Sequence, residues 1–337
     1  MKVLFVGYKN PAFWAVTDYV EVALTGMGHH VLFFDYRSYW VPGRLRDRVG
    51  ILDDWDRWVL NRRLRSKIHE FRPDVFLVLG GHTLEPETIQ AARRAGAIAT
   101  AWFADYPLLF ERYVVLAPHY DRFFASGTDA LSRHRRAGND RGHWLPFACL
   151  PDLHRPVSLS WAEQEHYRSD VAFVGSMYPE RVALFEKLTE FNLAIWGPGW
   201  DRLAAGHPLR PFVRGGAVRT EEWLKIIAGT ATAVNFMGSS GFPIDPQMIT
   251  MANSRCFELL GCGAFQLVDA KEDVQRLFVS GRELVWFEDA GEAVLLIRQY
   301  LAETAEREAV ARRAREVAER AHTYRHRLSE LFEVCGR

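Results

Sequence analysis

The stretch RCFELLGCGAFQLVD, residues 255–269, carries one acid, Glu258, in an apolar, helix-like run. The run ends at Gly261 and Gly263 and leads into a short strand. Arg255 stands three positions earlier, so the two side chains share a helical face. A carboxylate can accept both hydroxyls of a ribose, and a guanidinium can offset phosphate charge. The same pair also reads as a plain helix-face salt bridge. A second stretch, VGSMYPER, closes a strand at Gly175 and opens a helix. N–H groups exposed at such a turn, with the helix dipole behind them, attract a diphosphate. Ser176 lies in that turn, and Arg181 either adds charge there or is a surface arginine. The loop IWGPGW leaves a third strand at Gly197 and presents Trp200, whose ring suits a nucleobase wall or the packing of a loop.

These residues need elements to hold them. KVLFVG (2–7), HVLFFDY (30–36), DVFLVLGG (74–81), AIATAWFAD (97–105) and YDRFFASG (120–127) are the apolar runs expected of strands buried on both faces. Helical patterns separate them, among them a basic amphipathic helix beginning WDRWVLNRRL. The alternation pauses where three prolines fall between 146 and 156, then resumes with DVAFVGS, NLAIWG, TAVNFM, AFQLVD and ELVWFE. Strands alternating with helices imply right-handed crossovers and parallel sheets. The expected fold class is therefore α/β, with two Rossmann-like, doubly wound domains. We place them at 1–150 and 169–315, with a linker at 151–168 and a terminal helical segment at 316–337. Ligands of such sheets sit outside the carboxyl ends of the strands, and two sheets facing each other enclose a cleft.

Bulk properties narrow the chemistry. At 337 residues the chain is long enough for two cores, and 48% hydrophobic with 25% charged residues is the composition of a folded globular protein. Lysine plus arginine equals aspartate plus glutamate at 42 each, which gives no bulk attraction to nucleic acid or anionic membrane. A local patch is left open. The four cysteines form no C-x-x-C pair, and no window is long and apolar enough for a signal peptide or a membrane span. We therefore expect a cytoplasmic protein with reduced thiols. Only Gly7 follows the first strand and only Gly175 follows the strand near 170, so the G-x-G-x-x-G fingerprint is missing, as is a Walker lysine loop. Dinucleotide binding and P-loop hydrolysis both lose ground. Asp54-x-Asp56 and the His322/His326 spacing resemble metal ligands, but the acids sit on a helix face and the histidines lack a third partner. No metal site is expected.

VAFVGSMYPERVALFEKL, IWGPGW, RCFELLGCGAFQLVD and HTYRHRLSELF, in that order, resemble the spore-maturation-type, CgeB-like glycosyltransferases. More loosely they resemble the group-1 glycosyltransferases of the GT-B fold. The likeness covers about 170 to 335. It implies a second domain that binds a nucleotide-diphosphate sugar, a first domain that binds an acceptor, no cofactor and no metal. It also implies a final helix that crosses back to the first domain. Group-1 enzymes carry two glutamates eight positions apart, the second touching ribose. Glu258 matches the second, and Thr250 stands where the first would be. An inverting transfer needs a base for the acceptor proton. Asp105 after AWFA and His82 after VLGG are the candidates, each with a simpler reading, as a turn former before Pro107 and as a helix cap. Tyr8 and Lys9, after the first strand, are candidates to contact acceptor or phosphates, and Lys9 reads equally as a solvated side chain. Two rival functions share the fold: a nucleotide-sugar epimerase and a sugar-nucleotide-binding protein without catalysis.

Overall fold

The apolar runs form parallel strands because both faces of each are covered by helices, leaving no polar side to alternate. The computed structural model describes residues 1–46, 48–104, 109–238 and 249–337. The chain divides into two units, one of residues 1–146 with 325–337 and one of 147–324.

In the first unit, six strands pair in parallel in the order β2-β1-β3-β4-β5-β6. They are β1 Lys2–Gly7, β2 His30–Asp35, β3 Val75–Leu79, β4 Ile98–Phe103, β5 Arg122–Ala125 and β6 Gly142–Trp144. Phe5 lies opposite Phe33 on one side and Leu77 on the other. Val3 to Val6 and all of β3 are buried. The long helix Gly50–Phe71 turns Leu60, Leu64 and Ile68 inward. Its fully buried Asn61 ties it down: Nδ2 donates to the carbonyl of Thr83, while Oδ1 accepts from Glu85 N and Thr88 Oγ1. The terminal helix Tyr324–Val334 supplies Leu328 and Leu331, both fully buried, and Arg327 donates to the Pro146 carbonyl at 2.9 Å.

In the second unit the order is β12-β11-β10-β7-β8-β9, again all parallel. The strands are β7 Ser169–Val174, β8 Leu193–Trp196, β9 Val213–Gly215, β10 Thr230–Asn235, β11 Gln266–Asp269 and β12 Val285–Phe287. One sheet face packs Phe173, Ile195, Val234 and Leu267 against helices Pro179–Glu186 and Ala290–Ala302. The other face meets Trp223 and Ile227 of helix Thr220–Gly229. The stretch 151–168, expected to be a linker, contains helix Trp161–Tyr167, started by a Ser160/Glu163 capping box. The charged region after residue 289 is two helices, Ala290–Ala302 and Thr304–Ala321, broken at Glu303.

Candidate functional site

In a doubly wound sheet the binding crevice opens where the strand order reverses direction. In the second unit that point lies between β7 and β10. At the end of β7, Gly175 N donates to the Trp196 carbonyl and the Gly175 carbonyl accepts from Trp200 Nε1 at 2.8 Å. Gly197, at φ 138°, sits so close that a Cβ there would lie 2.0 Å from the Gly175 oxygen. Only glycine permits that approach. Trp200 is fully buried and packs edge-on to Phe173 and Phe185. Of the two readings of this ring, nucleobase wall and loop packing, its burial fits the second: it is a prop beneath the turn, its inner side meeting the core and its N–H finding a carbonyl there.

Arg181 spans the switch point. It lies in the first turn of helix Pro179–Glu186, and its guanidinium reaches back to both strand ends. Nη1 donates to the Ser176 carbonyl at 2.8 Å and Nε to the Phe236 carbonyl at 3.1 Å. The rings of Phe173 and Tyr178 cover it at 5.2 and 4.8 Å. Burial pushes its pKa down, while Tyr178, Asp269 and Glu180 pull it back up.

Asp269, at the end of β11, was not foreseen as a site residue. Its buried carboxylate accepts from Met237 N and Gly238 N, each at 3.1 Å, and lies 3.5 Å from Lys271 Nζ. Burial raises its pKa; Lys271 and the two N–H groups oppose that. One peptide group therefore joins two charges, with the Phe236 carbonyl facing Arg181 and the Met237 N–H facing Asp269. Such a chain polarises each of its hydrogen bonds. The chain after Gly238 enters residues 239–248, which lie outside the described residues.

Helix Ser254–Gly261 begins on Asn253, whose side chain caps Cys256 N and exchanges two amide hydrogen bonds with Asn235 at the end of β10. Arg255 and Glu258 meet as the three-residue spacing implies, Nη1 to Oε2 at 3.2 Å. The Arg255 guanidinium also lies over Trp223, 4.4 Å from the ring centroid, and Glu258 is only 6% exposed. Because Asn253 is bonded to Asn235 at the end of β10, Arg255 stands at the carboxyl end of the same sheet as Arg181. Gly175, Ser176, Arg181, Gly197 and Arg255 thus gather at the carboxyl end of this sheet, with Glu258 attached through Arg255. Thr250, at the position of the absent glutamate, donates to Asp273 Oδ2 at 3.1 Å.

The first unit reverses direction between β1 and β3. Tyr8 is covered by the Arg37 guanidinium at 4.1 Å, and Lys9 pairs with Glu21 over the Phe33 ring. His82 follows Gly80 and Gly81, both at positive φ, and its ring meets Tyr36 edge-on at 5.5 Å. Arg112, not singled out in the sequence, fixes that loop by donating to the carbonyls of His82 and Leu84. Asp105 lies outside the described residues. Asp54 and Asp56 diverge: Asp54 is exposed and pairs with Arg57, while Asp56 is buried and accepts from Trp40 N and Val41 N. His322 is buried beside Phe257 and Phe278, and His326 is exposed on the last helix.

A family model described as "glycosyl transferase-like" matches residues 181–333. This stretch is similar to glycosyl transferase-like domains. It begins at Arg181 and includes both Arg255 and Glu258. "Spore protein CgeB" of Bacillus subtilis (strain 168) is 21% identical over 212 residues, which is 60% of this chain and 66% of the relative, just under two thirds of its length. Among solved structures, Anabaena Alr3699/HepE in complex with UDP-glucose aligns at TM-score 0.67 and 12% identity, covering 99% of each chain. Sucrose-phosphate synthase from Thermosynechococcus elongatus aligns at TM-score 0.69 and 10% identity, over 99% of this chain and 98% of its own. The chain is similar to CgeB over part of its length, and it has the GT-B fold.

Proposed function

We propose that the protein is a glycosyltransferase that takes a sugar from a nucleotide-diphosphate donor held by the glycosyl transferase-like domain. The observation that carries this is Arg181, fixed by two strand-end carbonyls at the switch point, with the Arg255–Glu258 pair at the same end of the sheet. In this reading Arg181, Ser176 and the following helix N-terminus hold the diphosphate, while Gly175, whose N–H is bonded to the Trp196 carbonyl, shapes the turn. Arg255 adds charge, and Glu258 takes the ribose hydroxyls through its second oxygen. As the bond from the anomeric carbon to phosphate oxygen breaks, charge grows on the leaving diphosphate, where fixed cations and N–H dipoles stabilise it. The acceptor hydroxyl attacks the anomeric carbon and gives its proton to a base. For that role we propose His82 or Asp105, and for acceptor contacts Tyr8 and Lys9. Charge compensation by arginine makes a divalent ion unnecessary in this scheme. UDP is the first nucleotide to test, because Anabaena HepE, a structural neighbour, is described in complex with UDP-glucose.

The test is a thermal-shift panel of nucleoside diphosphates followed by release of nucleoside diphosphate from the sugar donor. One nucleotide should raise the midpoint. Arg181→Lys and Glu258→Gln should each weaken its binding by about tenfold. EDTA should leave turnover unchanged. Indifference to every nucleotide, or binding untouched by both substitutions, would sink the site. NMR of the donor alone separates transfer from epimerisation: an inverted sugar without acceptor would replace the present reading.

A further inference from the structure

An exposed apolar stripe lies in the first unit, on the outer side of helix Gly50–Phe71. Ile51, Trp55, Trp58 and Arg62 recur at intervals of four, three and four residues, so they line one stripe of that helix. The stripe lies opposite the inward face made by Leu60, Leu64 and Ile68. Ile51 is 75% exposed, Trp55 49% and Trp58 46%, and Trp40, whose backbone N–H is tied to Asp56 of the same helix, is 70% exposed. Single exposed apolar residues need no explanation, but several bulky ones on one helix face mark a contact surface.

Charge identifies the occupant. Residues 37–67 hold nine basic and four acidic side chains in a chain whose overall balance is zero, and of the basic ones Arg65 is paired with Glu85 and Lys67 with Glu70. Three of the acids are already engaged locally: Asp56 is buried on two backbone N–H groups, Asp54 pairs with Arg57, and Asp53 lies between Arg46 and Arg57. Arg44, Arg48 and Arg62 remain exposed, and the Arg62 guanidinium lies 5.4 Å from the Trp58 ring. Tryptophan with an arginine beside it is the side-chain pair that favours a headgroup layer, where the ring faces acyl chain and the cation faces phosphate. A helix carrying such a stripe lies on a membrane without crossing it. Among the described residues no helix is long and apolar enough to span one.

We infer that this face docks peripherally on an anionic lipid surface. Surface basic residues add attraction to anionic lipid, and the apolar stripe adds insertion. The experiment is co-sedimentation of the full chain with vesicles of phosphatidylcholine alone and with about one third phosphatidylglycerol, in 0.1 M and 0.5 M salt. We expect at least about tenfold tighter binding to the anionic vesicles, weakened by salt. The double substitution W55S/W58S and the separate R62E should each reduce it by about tenfold while leaving nucleotide binding unchanged. Because these side chains are exposed, folding is checked by an unchanged melting midpoint. Equal pelleting with and without anionic lipid, or full binding by W55S/W58S, would overturn the proposal. So would a concentration-dependent dimer that the same substitution abolishes without any vesicle binding, or retention by RNA but not by vesicles.

Discussion

Asp269 shows how much of this site rests on single buried charges. Its carboxylate is the acceptor for two successive N–H groups, and the peptide it holds is the one that fixes Arg181. Removing it leaves two buried donors without partners. Asp269→Ala should lower the stability of the second unit by about 2–4 kcal/mol. Asp269→Asn, which keeps one acceptor, should cost less, and both should weaken nucleotide binding through the loosened Arg181. Urea unfolding gives the first quantity and calorimetric titration the second; a change below about 0.5 kcal/mol in the alanine variant would remove the clamp from the account. The Arg255–Glu258 contact was legible in the sequence because a three-residue helical spacing is local. The fate of Trp200 was not, since whether a loop aromatic faces in or out is decided by Phe173 and Phe185 on the far side. Asp269 escaped for the same reason: its N–H partners lie about thirty residues upstream.

Among the elements, helix Thr128–Arg136 makes a pH-dependent contribution. It buries His134 among Phe103, Phe110 and Phe123. Burial lowers the pKa of that ring to about 4, from an ordinary value of 6.5. The folded state therefore favours the neutral ring, while the unfolded chain takes up a proton at higher pH. The stabilisation is fully present above pH 6.5 and is lost as pH falls toward 4, by up to about 3 kcal/mol. His154 in the second unit, also held to about 4 by burial, acts in the same direction. His134→Leu should flatten the decline of the first unit's melting midpoint between pH 7 and 4.5; slopes identical to those of the parent protein would show that the ring plays no part. Long apolar strands such as β1 and β3 were readable from the sequence. The three-residue strands β6 and β9 were not, because Gly142-His143-Trp144 and Val213-Arg214-Gly215 carry no apolar run and exist through pairing with β5 and β8.

For the molecule as a whole, the chain leaves the first unit after Pro146 and returns to it at Arg325. The last thirteen residues therefore complete a core begun at residue 1. A chain ending at Tyr324 loses Leu328 and Leu331 from that core, together with the bond from Arg327 to Pro146. Since one buried leucine is worth about 2–5 kcal/mol, the truncation should unfold the first unit. Limited proteolysis should then degrade 1–146 and spare 147–324. Equal protection of both would contradict this division. The sequence by itself determined that the chain is two parallel α/β units with glycine-bounded turns at their strand ends. Hydrophobic period, helix spacing and glycine placement act over a few residues and survive without any knowledge of partners. Only the tertiary structure decided which strands are neighbours, that Arg181 bridges β7 and β10, that Asp269 stands behind it, and that Trp200 is core. Each of those depends on groups brought together from distant parts of the chain, and no local pattern encodes which of several polar groups a buried charge will meet.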